Sequence, residues 1–189
     1  MGDLSAEYCM DCRKTKELHA YDKGMAFCEY DDVMRTTIYR LKYGNRCEYA
    51  KTLGNMMGLS FKRFFVMNQI QGIIAIPLHQ KRQKKRGYNQ AELLAKAISE
   101  TSGIPYFKNY VVRVKNTAPL KMMDPSERQN NLKKAFKIGR NDVKLKIIIV
   151  IDDIYTTGST IDAVSRVLKE SGVQKVFFLT LAIGMDLAK

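Results

Sequence analysis

Ile147-Ile148-Ile149-Val150-Ile151-Asp152-Asp153-Ile154-Tyr155-Thr156-Thr157-Gly158-Ser159-Thr160 is the stretch whose reading decides the fold. Five β-branched apolar residues in a row predict a strand buried on both faces, as at the centre of a parallel sheet. Two carboxylates follow where that strand must surface. In open α/β sheets ligands bind outside the carboxyl ends of the strands, so Asp152 and Asp153 fall where a site is expected. After Ile154-Tyr155 the next five residues, 156–160, are hydroxylated or glycine, and a helical pattern through Ile161, Val164, Val167 and Leu168 comes after them. Backbone N–H groups at a helix start, hydroxyl donors and a glycine that permits a tight turn make an anion site. Neither G-x-x-x-x-G-K-[ST] nor G-x-G-x-x-G occurs. The plainer alternative is a solvated Asp-Asp turn capping an ordinary helix.

Outward from this block, the sheet acquires more strands. Gly72-Ile73-Ile74-Ala75-Ile76-Pro77 predicts a second buried strand, Met25 to Tyr30 another, Val111 to Val114 a shorter one, and Val173 to Ala182 a last one that closes the sheet. Residues 31–43, opened by Asp31-Asp32, and residues 48–67 have helical periodicity, with Arg40-Leu41-Lys42-Tyr43-Gly44 as a basic turn between them. Asn89 caps a helix through Leu93, Leu94, Ala97 and Ile98 that ends at Gly103.

The loop after the second strand, residues 78–89, holds five basic residues: Lys81, Arg82, Lys84, Lys85 and Arg86. With parallel strands it opens at the same sheet edge as Asp152. It suits a polyphosphate, and equally a solvated basic loop or a nucleic-acid patch. His79 reads as a loop residue. Residues 115–131 form a long polar stretch of the kind found in lids and binding loops, and Asp124-Pro125-Ser126-Glu127 within it carries helix-start chemistry. Arg128 and Asn131 share one face of that short helix.

A chain of 189 residues can bury one good core with a small appendage. No apolar run reaches the ~18 residues of a membrane span, and no signal peptide precedes the fold, so a cytoplasmic location is expected. The formal charge of +13 favours polyanionic partners without choosing among phosphorylated metabolites, nucleic acid and acidic proteins. Cys9 and Cys12 form a C-x₂-C pair, half of a tetrahedral zinc site. The second pair is not visible, since Cys28 reads as part of a strand and Cys47 precedes a helix. A zinc site and a vestigial or truncated knuckle both stay open.

The 147–160 block resembles the phosphoribosyltransferase fingerprint: an apolar strand, two acids, two apolar residues, then T-T-G-x-T. Across residues 8–183 the chain resembles the ComF-type competence protein family, related to the amidophosphoribosyltransferases. The likeness is carried by Ile76 to Ala91 with its Arg86-Gly87-Tyr88-Asn89 run, by Glu127-Arg128 and Asn131, by Ala135-Phe136, and by Val150 to Thr160. It departs from that family in having one C-x₂-C pair rather than two, and Leu120 where the lid usually carries glutamine.

The resemblance implies a type I phosphoribosyltransferase α/β fold, a mostly parallel five-stranded sheet flanked by helices. Residues 1–20 would be a partial zinc-knuckle remnant and residues 21–189 a phosphoribosyltransferase-like domain. The implied activity is displacement of pyrophosphate from phosphoribosyl pyrophosphate (PRPP) by a nitrogen acceptor, with Mg²⁺. Asp152 and Asp153 would hold the ribose hydroxyls as catalytic residues. Thr156, Thr157, Gly158, Ser159 and Thr160 would grip the 5-phosphate of PRPP or of ribose 5-phosphate, and Lys81, Arg82, Arg86 and Gly87 the pyrophosphate. Zn²⁺ on Cys9 and Cys12 belongs to the same implication. The alternative is a non-catalytic module in which the PRPP site is a sensor or relic, working in DNA uptake with a helicase partner or single-stranded DNA. Self-association into a homo-oligomer stays open.

Overall fold

The computed structural model describes residues 19–114, 135–139 and 143–184. Cys9, Cys12, Leu120, the Asp124 to Glu127 helix start, Arg128 and Asn131 lie outside them, and so does most of the expected zinc-knuckle remnant.

Strand β5, Ile147–Tyr155, sits inside a four-stranded parallel sheet. It pairs on one side with β2, Gly72–Ala75, and on the other with β6, Lys175–Ile183, beyond which lies β1, Lys23–Glu29. Ile148, Ile149, Val150 and Ile151 are each 0% exposed, so both faces of the strand are covered. The alternation of a strand divides them. Ile149 and Ile151 join Leu179, Leu181, Leu94, Ile98, Met57 and Phe65 in one core. Ile148 and Val150 join Val176, Phe178, Val164 and Leu168 in the other.

The first core lies under helices α1 (Asp32–Tyr43), α2 (Cys47–Ser60), α3 (Lys62–Met67) and α5 (Gln90–Ser102). Helix α6 (Ser159–Glu170) covers the second. The expected caps are present. Asp31 accepts the Met34 N–H at 2.7 Å, Asn89 accepts the Ala91 N–H at 3.1 Å, and Gly103 ends α5 with φ of 79°. Helix α2 crosses α5 closely at Gly54, where a Cβ would lie 2.6 Å from that of Ala97.

Four expectations are corrected. The parallel sheet has four strands rather than five among the described residues, because Val111 to Val114 does not join it. There β3, Val111–Arg113, pairs antiparallel with β4, Phe136–Ile138, as a separate ribbon. The chain touches the parallel sheet once, at the Ile73–Tyr106 bridge, then turns away through Asn109 with φ of 56°. Second, β6 does not close the sheet at an edge but runs between β5 and β1. Third, the basic stretch after β2 is not a bare loop. It holds helix α4, Gln80–Arg86, capped by His79 Nδ1 accepting the Lys81 N–H at 3.2 Å and ended by Gly87 with φ of 85°. Fourth, the 48–67 helix is broken at Phe61, which ends α2 and starts α3. No helix among the described residues is long and apolar enough to cross a membrane.

Candidate functional site

All four strands run parallel, so their carboxyl ends share one edge, and β5 delivers the acid pair and the hydroxyl-rich turn there. The turn from β5 into α6 pivots on Gly158, whose φ is 70°. A Cβ at that position would lie 2.6 Å from the Tyr155 hydroxyl, so close approach and backbone conformation both call for glycine. Tyr155 floors the turn. Its ring stacks on Phe178 at 5.0 Å with planes 1° apart, and its hydroxyl meets that of Tyr21 at 2.9 Å.

Above this floor Asp152, Tyr155, Thr156, Thr157, Gly158, Ser159 and Thr160 line a concavity that opens to solvent. Thr157 and Ser159 join their hydroxyls at 2.9 Å, and the first regular bond of α6 runs from the Asp162 N–H to the Gly158 carbonyl at 2.8 Å. The N–H groups of the first turn therefore have no intrahelical acceptor and, with the helix dipole, favour an anion.

The two acids have different surroundings. Asp152 lines the concavity, and its Oδ1 accepts the Asp153 N–H at 2.8 Å. Burial of its carboxyl and the neighbouring Asp153 charge hold it well above the usual carboxylate range. Asp153 points into the protein and is 5% exposed. Its Oδ1 accepts the Ile154 N–H at 3.0 Å, and its Oδ2 is ion-paired with Lys42 and accepts a bond from Gln90 at 3.3 Å.

On the cationic side, Lys81, Arg82, Lys84 and Lys85 of α4 are exposed, whereas Arg86 is half-buried. The Arg86 guanidinium donates to Gln90 Oε1 and lies 5.2 Å from the Tyr43 ring. Half-buried Arg113 lies 5.4 Å from the Phe136 ring. Burial and the Arg82 charge pull its guanidinium below the ordinary value, and the Asp152 carboxylate opposes that pull. Arg113 thus lies within electrostatic range of both Arg82 and Asp152.

Of the residues singled out by sequence, Asp152 and the five turn residues come together on one concavity, Asp153 is buried beside it, Arg86 is joined to Asp153 through Gln90, and Lys81, Arg82 and Gly87 are exposed on or at the end of α4. Lys42, Gln90 and Arg113 were missed. A lone arginine inside Val111-Val112-Arg113-Val114 was the signal for the last; Lys42 had none beyond its place in the basic turn 40–44, and Gln90 none beyond following the Asn89 cap. Cys28 donates to the Leu181 carbonyl at 3.0 Å, and burial raises its thiol. No group of three or more His, Cys, Asp or Glu among the described residues is placed to hold a metal ion.

Residues 84–188 match the family described as "Phosphoribosyl transferase domain". The chain is 32% identical to Competence protein F of Haemophilus influenzae, over 90% of this chain and 76% of that one. It is 28% identical to the DNA utilization protein YhgH of Escherichia coli K12 (78% and 66% covered) and 27% identical to Competence protein ComFC of Bacillus subtilis (87% and 67%). It spans about two thirds to three quarters of these relatives' lengths. Among solved structures, an adenine phosphoribosyltransferase is similar with a TM-score of 0.46 at 14% identity, covering 74% of this chain and 71% of that one. The chain carries a phosphoribosyltransferase domain. It belongs to the family of Competence protein F and ComFC.

Proposed function

We propose that this chain binds PRPP together with a divalent cation at the carboxyl edge of β5 and transfers its phosphoribosyl group to a nitrogen acceptor. The observation that carries this reading is the single concavity into which β5 and α6 bring Asp152 and the turn residues 156–160. The first-turn N–H groups of α6, with Thr156, Thr157, Ser159 and Thr160, take the 5-phosphate. Asp152 faces the ribose hydroxyls. The C1–O bond to pyrophosphate breaks as the C1–N bond forms, and the nitrogen releases its proton to solvent. Charge developing on the ring is stabilised by the Asp152 carboxylate. Lys81 and Arg82 of α4, with Arg113, would assist the departure of pyrophosphate, a role supported by the Arg113 guanidinium lying within electrostatic range of both Arg82 and Asp152.

The donor set fits Mg²⁺, which takes one or two carboxylates and completes its shell with phosphate oxygens and water. Asp152 is the carboxylate on the cavity wall; when bound, the ion would neutralise pyrophosphate charge. A zinc ion on Cys9 and Cys12 would need two further ligands.

Calorimetric titration with PRPP and Mg²⁺ tests the reading. Saturable binding at millimolar ligand or below, lost in a Gly158→Ala variant, is the expected result; no heat from wild-type protein overturns it. The relatives' names, in competence and DNA utilization, favour one second reading: a module that keeps the PRPP site as a sensor while engaging a helicase or single-stranded DNA. That reading expects no turnover with any nitrogen acceptor and nucleic-acid binding that weakens steeply with salt.

A further inference from the structure

The last turn of α1 is bound to the acid pair and to α4 through one connected set of contacts. Lys42 reaches in from α1 to pair with Asp153 Oδ2, with side-chain exposures of 20% and 7%. Gln90, itself 4% exposed, donates to the same oxygen at 3.3 Å and accepts from Arg86, the last residue of α4. Arg86 lies over the ring of Tyr43, the residue after Lys42. The Tyr88 hydroxyl donates to the Leu41 carbonyl, the residue before it. Asn89 anchors the segment to β2's exit through the Ile76 carbonyl at 2.9 Å.

A carboxylate this buried is costly unless a cation and hydrogen bonds compensate it. Asp153 has both: Oδ1 is occupied by the Ile154 N–H, and Oδ2 by Lys42 and Gln90. Each oxygen already has a partner inside the protein, and Asp153 does not line the concavity where a ligand would sit. Asp152, one residue earlier and on the concavity, is the acid that can meet one.

We propose that Lys42 is a positioning residue: its ammonium, rather than a bound metal ion, neutralises Asp153, so that Asp152 alone presents a carboxylate to the ligand. Through Asp153, Gln90 and Arg86 the same contact holds α4, with its exposed cations, in register with the turn at the end of β5. The two acids of the pair therefore divide the work. Asp152 acts on the ligand, and Asp153 is the internal anchor that fixes where Asp152 and α4 stand. The role toward ligand rests on the PRPP reading above; the pairing itself does not.

The test uses Lys42→Met, Lys42→Arg, Asp153→Asn and the Lys42→Met/Asp153→Asn double variant, each followed by calorimetry with PRPP and Mg²⁺ and by thermal melting. Lys42→Met should weaken PRPP by about tenfold or more, since it frees the supports of the site from their register. Lys42→Arg keeps the charge and can pair with the carboxylate through two N–H groups, so it should stay within about fivefold of wild type. The double variant should melt above Lys42→Met, because it removes the stranded carboxylate as well as its partner. Wild-type affinity in Lys42→Met, Lys42→Arg no better than Lys42→Met, or melting losses that simply add would each overturn the proposal. If wild-type protein bound no PRPP, the functional reading would fall and the positioning role with it. The melting cycle would then still decide whether Lys42 and Asp153 are a coupled pair.

Discussion

The hydroxyls of Tyr21 and Tyr155 meet at 2.9 Å, joining the segment that leads into β1 to the floor of the turn that opens α6. The contact belongs to an aromatic stack in which His19 lies on Tyr21 at 4.7 Å and Phe178 meets both tyrosines, Tyr21 edge-on at 4.9 Å and Tyr155 face-on at 5.0 Å. The backbone N–H of Ala20 adds a bond to Asp162 Oδ1 at 2.6 Å, one turn into α6. The N-terminal segment thus braces the candidate phosphate site from below. Tyr21→Phe and Tyr155→Phe should each cost about 0.5–1.5 kcal/mol. The double variant should cost less than the sum in urea melts; strict additivity would show that the hydroxyls do not support one another.

Gly158 tests the turn itself. Alanine there must adopt φ of 70° and place its Cβ 2.6 Å from the Tyr155 hydroxyl. The left-handed conformation alone costs about 1–2 kcal/mol in a residue with a Cβ. Gly158→Ala should therefore destabilise the fold by at least that amount and weaken inorganic phosphate, read by urea melts and by phosphorus NMR titration. Unchanged phosphate affinity would remove the turn from the site.

Gly54 makes a prediction about the scaffold. Its added Cβ would meet Ala97 Cβ at 2.6 Å and the Leu94 carbonyl oxygen at 2.9 Å, so α2 and α5 would have to move apart. Alanine gains about 1 kcal/mol of helix propensity. Overpacking costs about 1–3 kcal/mol. Gly54→Ala should come out destabilised on thermal melting, whereas a stabilised variant would show that the two helices separate freely.

What could be read from sequence follows the range of the interactions involved. The apolar run of β5, the Asp31 and Asn89 caps and the Gly103 stop are local, and they stand where the pattern put them. The turn at Gly158 is local too. Strand partners are not: Val111 to Val114 has the same apolar character as a sheet strand, and only Asn109 and the β4 pairing send it elsewhere. Helix α4 escaped because Gln80 to Arg86 has no apolar periodicity and buries no residue, its caps alone marking its ends. Lys42, Gln90 and Arg113 reach the site only through folding, which brings the end of α1, the start of α5 and the β3 ribbon to the carboxyl edge of β5. No window of sequence contains that juxtaposition.

Asp152 offers a prediction in which stability and function move in opposite directions. Its folded carboxyl titrates well above the ordinary value of 3.8, through burial first and the Asp153 charge second. Between 3.8 and that raised value the folded chain keeps a proton that the unfolded chain releases. Stability from this group is therefore fully present below the ordinary value and is lost as pH rises through the raised one. Asp152→Asn removes that loss while keeping a side-chain oxygen to accept the Asp153 N–H. Without ligand the variant should melt above wild type at neutral pH, with the gap closing as pH falls toward 4, an acid limit set by the ordinary carboxylate range. Its transfer activity should fall by about 10²–10³, the usual cost of removing an electrostatic stabiliser. PRPP with Mg²⁺ should raise the melting temperature of wild type far more than that of the variant, because the ligand gives the wild-type charge a partner. A variant that melts lower than wild type at neutral pH would show that the Asp152 charge is already compensated within the protein. A variant that keeps full turnover would move the chemistry away from this acid.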